Sequence, residues 1–192
     1  MRNTQAIQLA FDFAHDNPNG VFRATRVLLK HRGCNSVLKR LSYVRRFFPE
    51  FGELTIRVGL TKVASGMAVP GGNEIWFNPN EISYHAISHE FIHLLQGRYG
   101  IPTGERSCDL FSMARHWTLN DMAPYYVRIP RHFFDTRGHT APAHARLLYA
   151  VACRSLELKR NGVRNYIAYF ERTIAAGDAW NRVEIQQPAL NL

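Results

Sequence analysis

Two histidines stand four residues apart in the segment HEFIH, which covers residues 89–93. On a helix, residues with this spacing lie one turn apart on the same face, so the imidazoles of His89 and His93 can be directed at one point. Two imidazole nitrogens at about 2.0–2.1 Å are typical ligands of a zinc ion. Glu90 flanks that point, where a general base takes a proton from a metal-activated water. The five residues by themselves fit a helix with a chance pattern as well as they fit a hydrolytic metal site.

A pair of carboxylates farther along the chain favours the metal site. A catalytic zinc ion needs a third protein ligand and one coordination position for water. Glu105 comes twelve residues after His93, and Asp109 follows it at the i+4 position. If residues 104–115 are helical, we expect Glu105 to be the third ligand and Asp109 to accept the outer N–H of a ligand histidine. The alternatives are an acid near a helix amino end for Glu105 and an ordinary surface acid for Asp109.

The two motifs together resemble those of the gluzincin metallopeptidases, over about residues 74–111. The short interval between the motifs is similar to that of the compact minigluzincins. The resemblance implies a zincin-like fold, a zinc ion and these roles: His89, His93 and Glu105 as metal ligands, Glu90 as the general base, and Asp109 beside a ligand histidine.

Other residues are candidates for binding the substrate. The strand NEIWF precedes the helix, as does the edge strand that binds an extended peptide in zincin enzymes, and a plain core strand is the alternative. Its candidate residues are Glu74, Ile75, Trp76 and Phe77. A donor must also stabilise the oxyanion of the tetrahedral intermediate, and no spacing rule selects it. The candidates are Tyr125, Tyr126, His132, Arg137, His139 and His144. For His85, one turn before His89, we expect a structural or capping role.

The pattern of apolar residues predicts an α+β fold, with a small mixed sheet, an active-site helix, a second ligand-bearing helix and flanking N- and C-terminal helices. We expect a single zincin-like domain over residues 1–192, with parts 1–50, 53–116 and 117–192. The predicted helices cover residues 4–15, 21–31, 35–48, 84–96, 104–115, 142–159 and 163–176. The predicted strands cover residues 53–60 and 74–77, with a loop at 64–72 and an irregular region at 120–142.

Composition narrows the class of protein. A hydrophobic fraction of 46% describes a globular chain, and no apolar run approaches the roughly 18 residues of a membrane helix. The amino end lacks the features of a secretory signal. The three cysteines form no C-x-x-C pair, which favours a reducing cytoplasm over a disulfide framework. A net charge of +9 is compatible with nucleic acid or acidic partners. The basic residues are spread along the chain, however, which favours a solvated basic surface over a nucleic-acid site.

These observations predict a cytoplasmic, zinc-dependent endopeptidase that acts on a peptide or protein substrate. Two alternatives stay open: a nucleic-acid-associated protease resembling the Spartan type, and a non-catalytic or latent zinc-binding regulatory protein. For latency, the tail VEIQQPALNL would lie along the NEIWF strand as a substrate mimic. The alternative is a tail that packs elsewhere. The sequence specifies neither the substrate nor the oligomeric state.

Overall fold

The computed structural model describes residues 13–16 and 21–177, which form five strands and six α-helices. The strands are β1 (Phe13–Asp16), β2 (Phe22–Thr25), β3 (Ile56–Leu60), β4 (Gly66–Ala68) and β5 (Glu74–Phe77). The helices are α1 (Arg26–Lys30), α2 (Cys34–Arg45), α3 (Tyr84–Leu95), α4 (Glu105–Met113), α5 (Pro142–Arg160) and α6 (Tyr166–Ala175). Short 3-10 helices occupy Pro49–Phe51, Trp117–Leu119 and Arg131–Phe133. The chain divides into two compact units, residues 1–103 and 104–192. The single domain over the whole chain stays a prediction.

The first unit contains the sheet, whose strand order is β1-β2-β3-β5-β4. β2, β3 and β5 run parallel to one another, and both outer pairs, β1 with β2 and β4 with β5, are antiparallel. The prediction of an α+β fold with a small mixed sheet is therefore confirmed. Alternate residues of the central strands are fully buried: Ile56 and Val58 in β3, Ile75 and Phe77 in β5. This alternation is why the segments form strands with at least one face in the core.

Helix α3 is held in the first unit by an aromatic cluster. Phe91 meets Phe48 and Phe51 edge-on, with ring centroids 5.2 Å apart in both pairs. Edge-to-face packing of this kind adds about 0.5–1.5 kcal/mol per pair to the burial of the rings. Because residues two apart on a helix point to nearly opposite sides, Phe91 secures the side of α3 that faces away from His89 and His93.

The second unit is helical. Apolar residues of α4, α5 and α6 form one core, which includes Leu110, Met113, Leu148, Val151, Phe170 and Ile174. The predicted helices of this unit agree with α4, α5 and α6 to within a few residues, and the region between α4 and α5 is irregular, as expected. Helical spacing of the apolar residues explains the agreement, because each helix needs only one buried stripe.

The predictions for the amino-terminal part were wrong in three places. Residues 13–16 form β1 instead of continuing a helix, and the rest of the predicted helix 4–15 lies outside the described residues. The predicted helix 21–31 is strand β2 followed by the short α1, whose first turn is capped by Thr25 through its hydroxyl (Leu28 N–H to Oγ1, 3.3 Å). Helix α2 begins at Cys34 instead of Asn35 or Ser36, with no side-chain cap. In β1 and β2, pairing with a neighbouring strand outweighs local helical periodicity.

The sheet corrects three predictions for residues 53–77. Residues 64–72 were predicted as a loop, yet Gly66–Ala68 form β4 at one edge of the sheet. The NEIWF strand, β5, lies between β3 and β4 and is paired on both sides, so it is not an edge strand. The strand predicted over 53–60 begins only at Ile56, after the exposed Leu54. Three residues of β4 are too few for alternation to identify a strand.

No helix in the described part of the chain has the length and apolar character needed to cross a membrane. The tail VEIQQPALNL, for which an inhibitory position along β5 was considered, lies outside the described residues.

Candidate metal centre

Helix α3 begins and ends where its sequence provides the signals. Ser83 caps the first turn, because its Oγ accepts a hydrogen bond from the Ala86 N–H at 3.0 Å. The backbone leaves the helix at Gln96, and Gly97 then adopts a φ of 75°, in the left-handed region that favours glycine. Every residue from His85 to Leu95 is buried. The histidines and the glutamate of HEFIH are thus carried on a buried helix.

The structure brings the predicted residues of α3 together on one side of the helix. The rings of His89 and His93 have centroids 5.0 Å apart, and that of His85 lies 6.4 Å from His89. His89 is 3% exposed, Glu90 7% and His93 9%. Burial of three such groups in an apolar helix is costly unless each has a polar partner or a ligand. Two adjacent imidazoles are donors that suit a divalent transition metal.

Glu90 lies against the edge strand β4. A β-carbon at Gly66 would be only 2.7 Å from Cγ and from Oε1 of Glu90, a distance that no side chain could tolerate without displacing the carboxylate. Gly66 has no positive φ, so its need for glycine comes from the close approach of Glu90. The sequence prediction did not identify this contact, because β4 was taken for a loop. The arrangement places the carboxylate beside the first residue of an edge strand.

Gln96 is a further residue that sequence reasoning missed. Its Oε1 lies 2.8 Å from Nδ1 of His93, and its Nε2 donates to the carbonyl oxygen of Pro102 at 3.1 Å. The side chain is buried, with 6% exposed. The spacing of three residues after His93, just past the end of α3, was the only signal in the sequence that could have identified it.

The second unit carries the other predicted residues of the site on α4. Glu105 is the first residue of that helix and half-buried, whereas Cys108 and Asp109 are fully buried. Oδ2 of Asp109 accepts backbone N–H groups from Tyr126 at 2.6 Å and Val127 at 3.1 Å. Asp109 therefore ties the irregular segment after α4 to the helix, a role that differs from the surface acid considered as an alternative.

The side chains among the described residues that could contribute to a metal site are His85, His89 and His93 on α3, and Cys108 and Asp109 on α4. Glu105, the predicted third ligand, is not among them, and its role stays a prediction. The sequence did not identify Cys108 as a ligand, because Cys108 belongs to no C-x-x-C pair. Thiolate, imidazole and carboxylate groups are all known ligands of zinc.

The candidate oxyanion donors lie in three places in the second unit. Tyr125 and Tyr126 are exposed neighbours whose rings are 6.3 Å apart. The rings of His132 and His144 are 6.5 Å apart, and His144 Nδ1 lies 3.0 Å from the carbonyl oxygen of Phe133. His139 and Arg137 are exposed in a turn that is organised by Asp135.

The turn at Asp135 also accounts for a shifted pKa. The carboxylate accepts the backbone N–H groups of His139 and Arg137 and lies 3.1 Å from Nδ1 of His139. These hydrogen bonds, that of the His139 backbone above all, hold the pKa of Asp135 below its ordinary value. His139 is thus part of this turn, and it also pairs with Met122 in an isolated antiparallel bridge.

Each of the four residues of β5 has a structural role in the sheet or its core. Ile75 and Phe77 are fully buried in the core. Glu74 forms an ion pair with Arg57 of β3 at 2.8 Å. Trp76 covers Gly59, where a β-carbon would lie 2.4 Å from the indole. Because β5 is interior to the sheet, the core-strand alternative describes it, and among the described residues β4 is the outer strand at that end of the sheet.

No family model, curated protein or solved structure matches the chain.

Proposed function

We propose that the protein is a zinc-dependent endopeptidase that uses His89 and His93 as metal ligands and Glu90 as its general base. The observation that carries the proposal is the buried cluster on α3, in which two imidazoles and a carboxylate share one side of a helix. The resemblance of the motifs to those of gluzincins supports the same conclusion.

The residues of the chain divide the chemistry between them. Zinc, when bound, lowers the pKa of water toward about 7 and polarises a carbonyl oxygen. His89 and His93 supply neutral imidazole nitrogens from a rigid helix. Glu90 accepts the proton of the attacking water and delivers it to the leaving amine nitrogen, so that the proton is conserved over the cycle. The resemblance implies Glu105 as the third ligand, and Cys108 is a competing donor.

The edge strand β4 is the proposed binding surface for the substrate. Its outer side is the end of the sheet, and an extended peptide can pair with the backbone of such a strand. Gly66 of β4 touches Glu90, so a peptide that pairs there brings its backbone close to the general base. Because backbone pairing does not depend on particular side chains, such a strand would accept peptides of many sequences.

The proposal is tested with Glu90→Gln, assayed for zinc content and for cleavage of a quenched fluorescent peptide library. The amide is nearly isosteric but cannot accept the proton, so we expect stoichiometric zinc with a rate lower by about 10²–10⁴. Glu81→Gln makes the same chemical change at an exposed residue just before α3 and should leave the rate unchanged. Undiminished cleavage by Glu90→Gln would contradict the mechanism.

Ligand variants test the metal site separately from turnover. We expect His89→Ala and His93→Ala to lose zinc, and the exposed His139→Ala to retain it. Of Glu105→Ala and Cys108→Ala, the variant that loses zinc identifies the third ligand. Zinc retained in both His89→Ala and Glu105→Ala would contradict the proposed ligand set. Zinc bound by the wild type without cleavage of any peptide would favour the non-catalytic zinc-binding protein instead.

A further inference from the structure

We propose that Gln96 is a positioning residue for the metal site, which holds His93 as the Nδ1–H tautomer and so leaves Nε2 as the ligand atom. The inference deepens the proposed function and rests on it for the metal, but the tautomer itself is a property of the protein alone. Three observations carry it: the direction of the Gln96 amide, the hydrogen bond to His93, and the loop that fixes both.

The orientation of the Gln96 amide follows from its second partner. The carbonyl oxygen of Pro102 can only accept, so the Gln96 atom that lies 3.1 Å from it must be the donor, Nε2. Oε1 therefore faces His93, at 2.8 Å from Nδ1. An amide turned the other way would place two carbonyl oxygens against each other in a buried site and would lose the hydrogen bond to Pro102.

The tautomer of His93 follows from the amide. Because Oε1 only accepts, the hydrogen bond forms when Nδ1 carries the proton. In neutral imidazole the other nitrogen, Nε2, then carries the lone pair. A ligand histidine usually donates its remaining N–H to an acceptor that fixes the ring, and here that acceptor is supplied three residues farther along the chain.

The loop after α3 holds the acceptor in place. Gly97 and Gly100 adopt φ angles of 75° and 70°, and the Gly97 N–H donates to the Ile101 carbonyl oxygen at 3.2 Å. This closed loop brings Pro102 back to the end of the helix, where its carbonyl group meets Gln96. A change in the loop would therefore be transmitted through one amide to the ring of His93.

A neutral amide has a chemical consequence that a carboxylate would not have. A carboxylate partner adds negative charge beside the imidazole and increases its basicity as a ligand. Gln96 orients the ring without that charge, which leaves more of the positive charge on the metal to act on water and substrate. A glutamine at this position thus favours the Lewis acidity of the bound metal over the highest affinity for that metal.

Two substitutions separate the acceptor from the loop contact. Gln96→Leu removes both hydrogen bonds, whereas Gln96→Glu retains an acceptor for His93 and loses the donor to Pro102. We expect zinc affinity, measured by competition with a chelator, to fall by about 10–100-fold in Gln96→Leu. Affinity in Gln96→Glu should equal or exceed that of the wild type, because a carboxylate makes the imidazole a more basic ligand. An equal loss in both variants, or no loss in either, would overturn the proposal.

The tautomer is measured directly on the metal-free protein by long-range ¹H–¹⁵N correlation of the histidine rings. We expect His93 to be protonated at Nδ1 in the wild type and to lose that preference in Gln96→Leu. Protonation at Nε2 in the wild type would overturn the inference, whether or not zinc binds. Failure of the wild type to bind zinc, in contrast, would contradict the proposed function and leave the tautomer measurement valid.

Discussion

The two units bury polar side chains in different ways. In the helical unit, several buried polar side chains bond to backbone groups: Asn120 donates to Met113 and Ala145, Ser155 donates to Val151, and Asp109 accepts from Tyr126 and Val127. On α3, four of the five buried polar residues, His85, His89, Glu90 and His93, have ionisable side chains. His93 is in contact with another side chain, that of Gln96. Hydrogen bonds to backbone carbonyls stabilise a fold, since they satisfy groups that must be paired in any case. A gathering of imidazoles and a carboxylate is costly to bury and is retained where chemistry needs it.

The comparison predicts that disturbing α3 changes rate, whereas disturbing the buried polar groups of the helical unit changes stability. Each of the following substitutions tests one side of that difference.

The largest effect is expected from Gly66→Ala. The new methyl group must displace the Glu90 carboxylate, which is the end of a flexible side chain and can move without unfolding the sheet. Since misplacement of a catalytic group by about 1 Å can cost roughly 10²-fold, we expect a rate lower by about that factor, with zinc and thermal stability nearly unchanged. Met67→Ala, at an exposed residue of the same strand, is the matched control. A fully active Gly66→Ala would show that Glu90 is not held by this contact.

The second effect is expected at Asn120, on the other side of the comparison. Asn120 is 1% exposed, and its amide donates to two carbonyl oxygens at 3.2 Å each. Asn120→Ala leaves those carbonyls without this donor, so we expect the free energy of unfolding to fall by about 1–3 kcal/mol, with zinc affinity unchanged. Asn165→Ala is the control, because Asn165 is exposed and its side chain makes no cap hydrogen bond. A loss of zinc without a loss of stability would contradict the distinction between the two groups.

The smallest effect concerns the buried thiol of Cys153 in α5. Burial raises the pKa of Cys153 from its ordinary value of 9.0 to about 11. Between these values the unfolded chain has lost the proton and the folded chain retains it, so stability falls as pH rises through this window. From the two pKa values, the loss by pH 10 is on the order of 1 kcal/mol. Urea unfolding at pH 8 and pH 10 should show this loss in the wild type and less of it in Cys153→Ala. An equal loss in both proteins would assign the pH dependence to another group.

Where the sequence predicted elements correctly, it did so for elements whose pattern is local. Helix α3 and the three helices of the second unit follow from apolar spacing and from signals such as Ser83 at the start of α3. The predictions failed for β1, β2 and β4, which are short and depend on a neighbouring strand. Phe22 and Ala24 point inward on β2 only because β3 lies beside them, and nothing within a four-residue segment reveals that partner.

The candidate site divides in the same way. The sequence by itself determined that His89, Glu90 and His93 share one side of a helix, because a spacing of one turn fixes which side chains are neighbours. Only the tertiary structure decided that Glu90 lies against Gly66, that the edge strand is β4 rather than β5, and that Gln96 meets both His93 and Pro102. These contacts join segments whose separation along the chain follows no fixed period. Strand order and loop closure set them, and both depend on the whole unit packing its core.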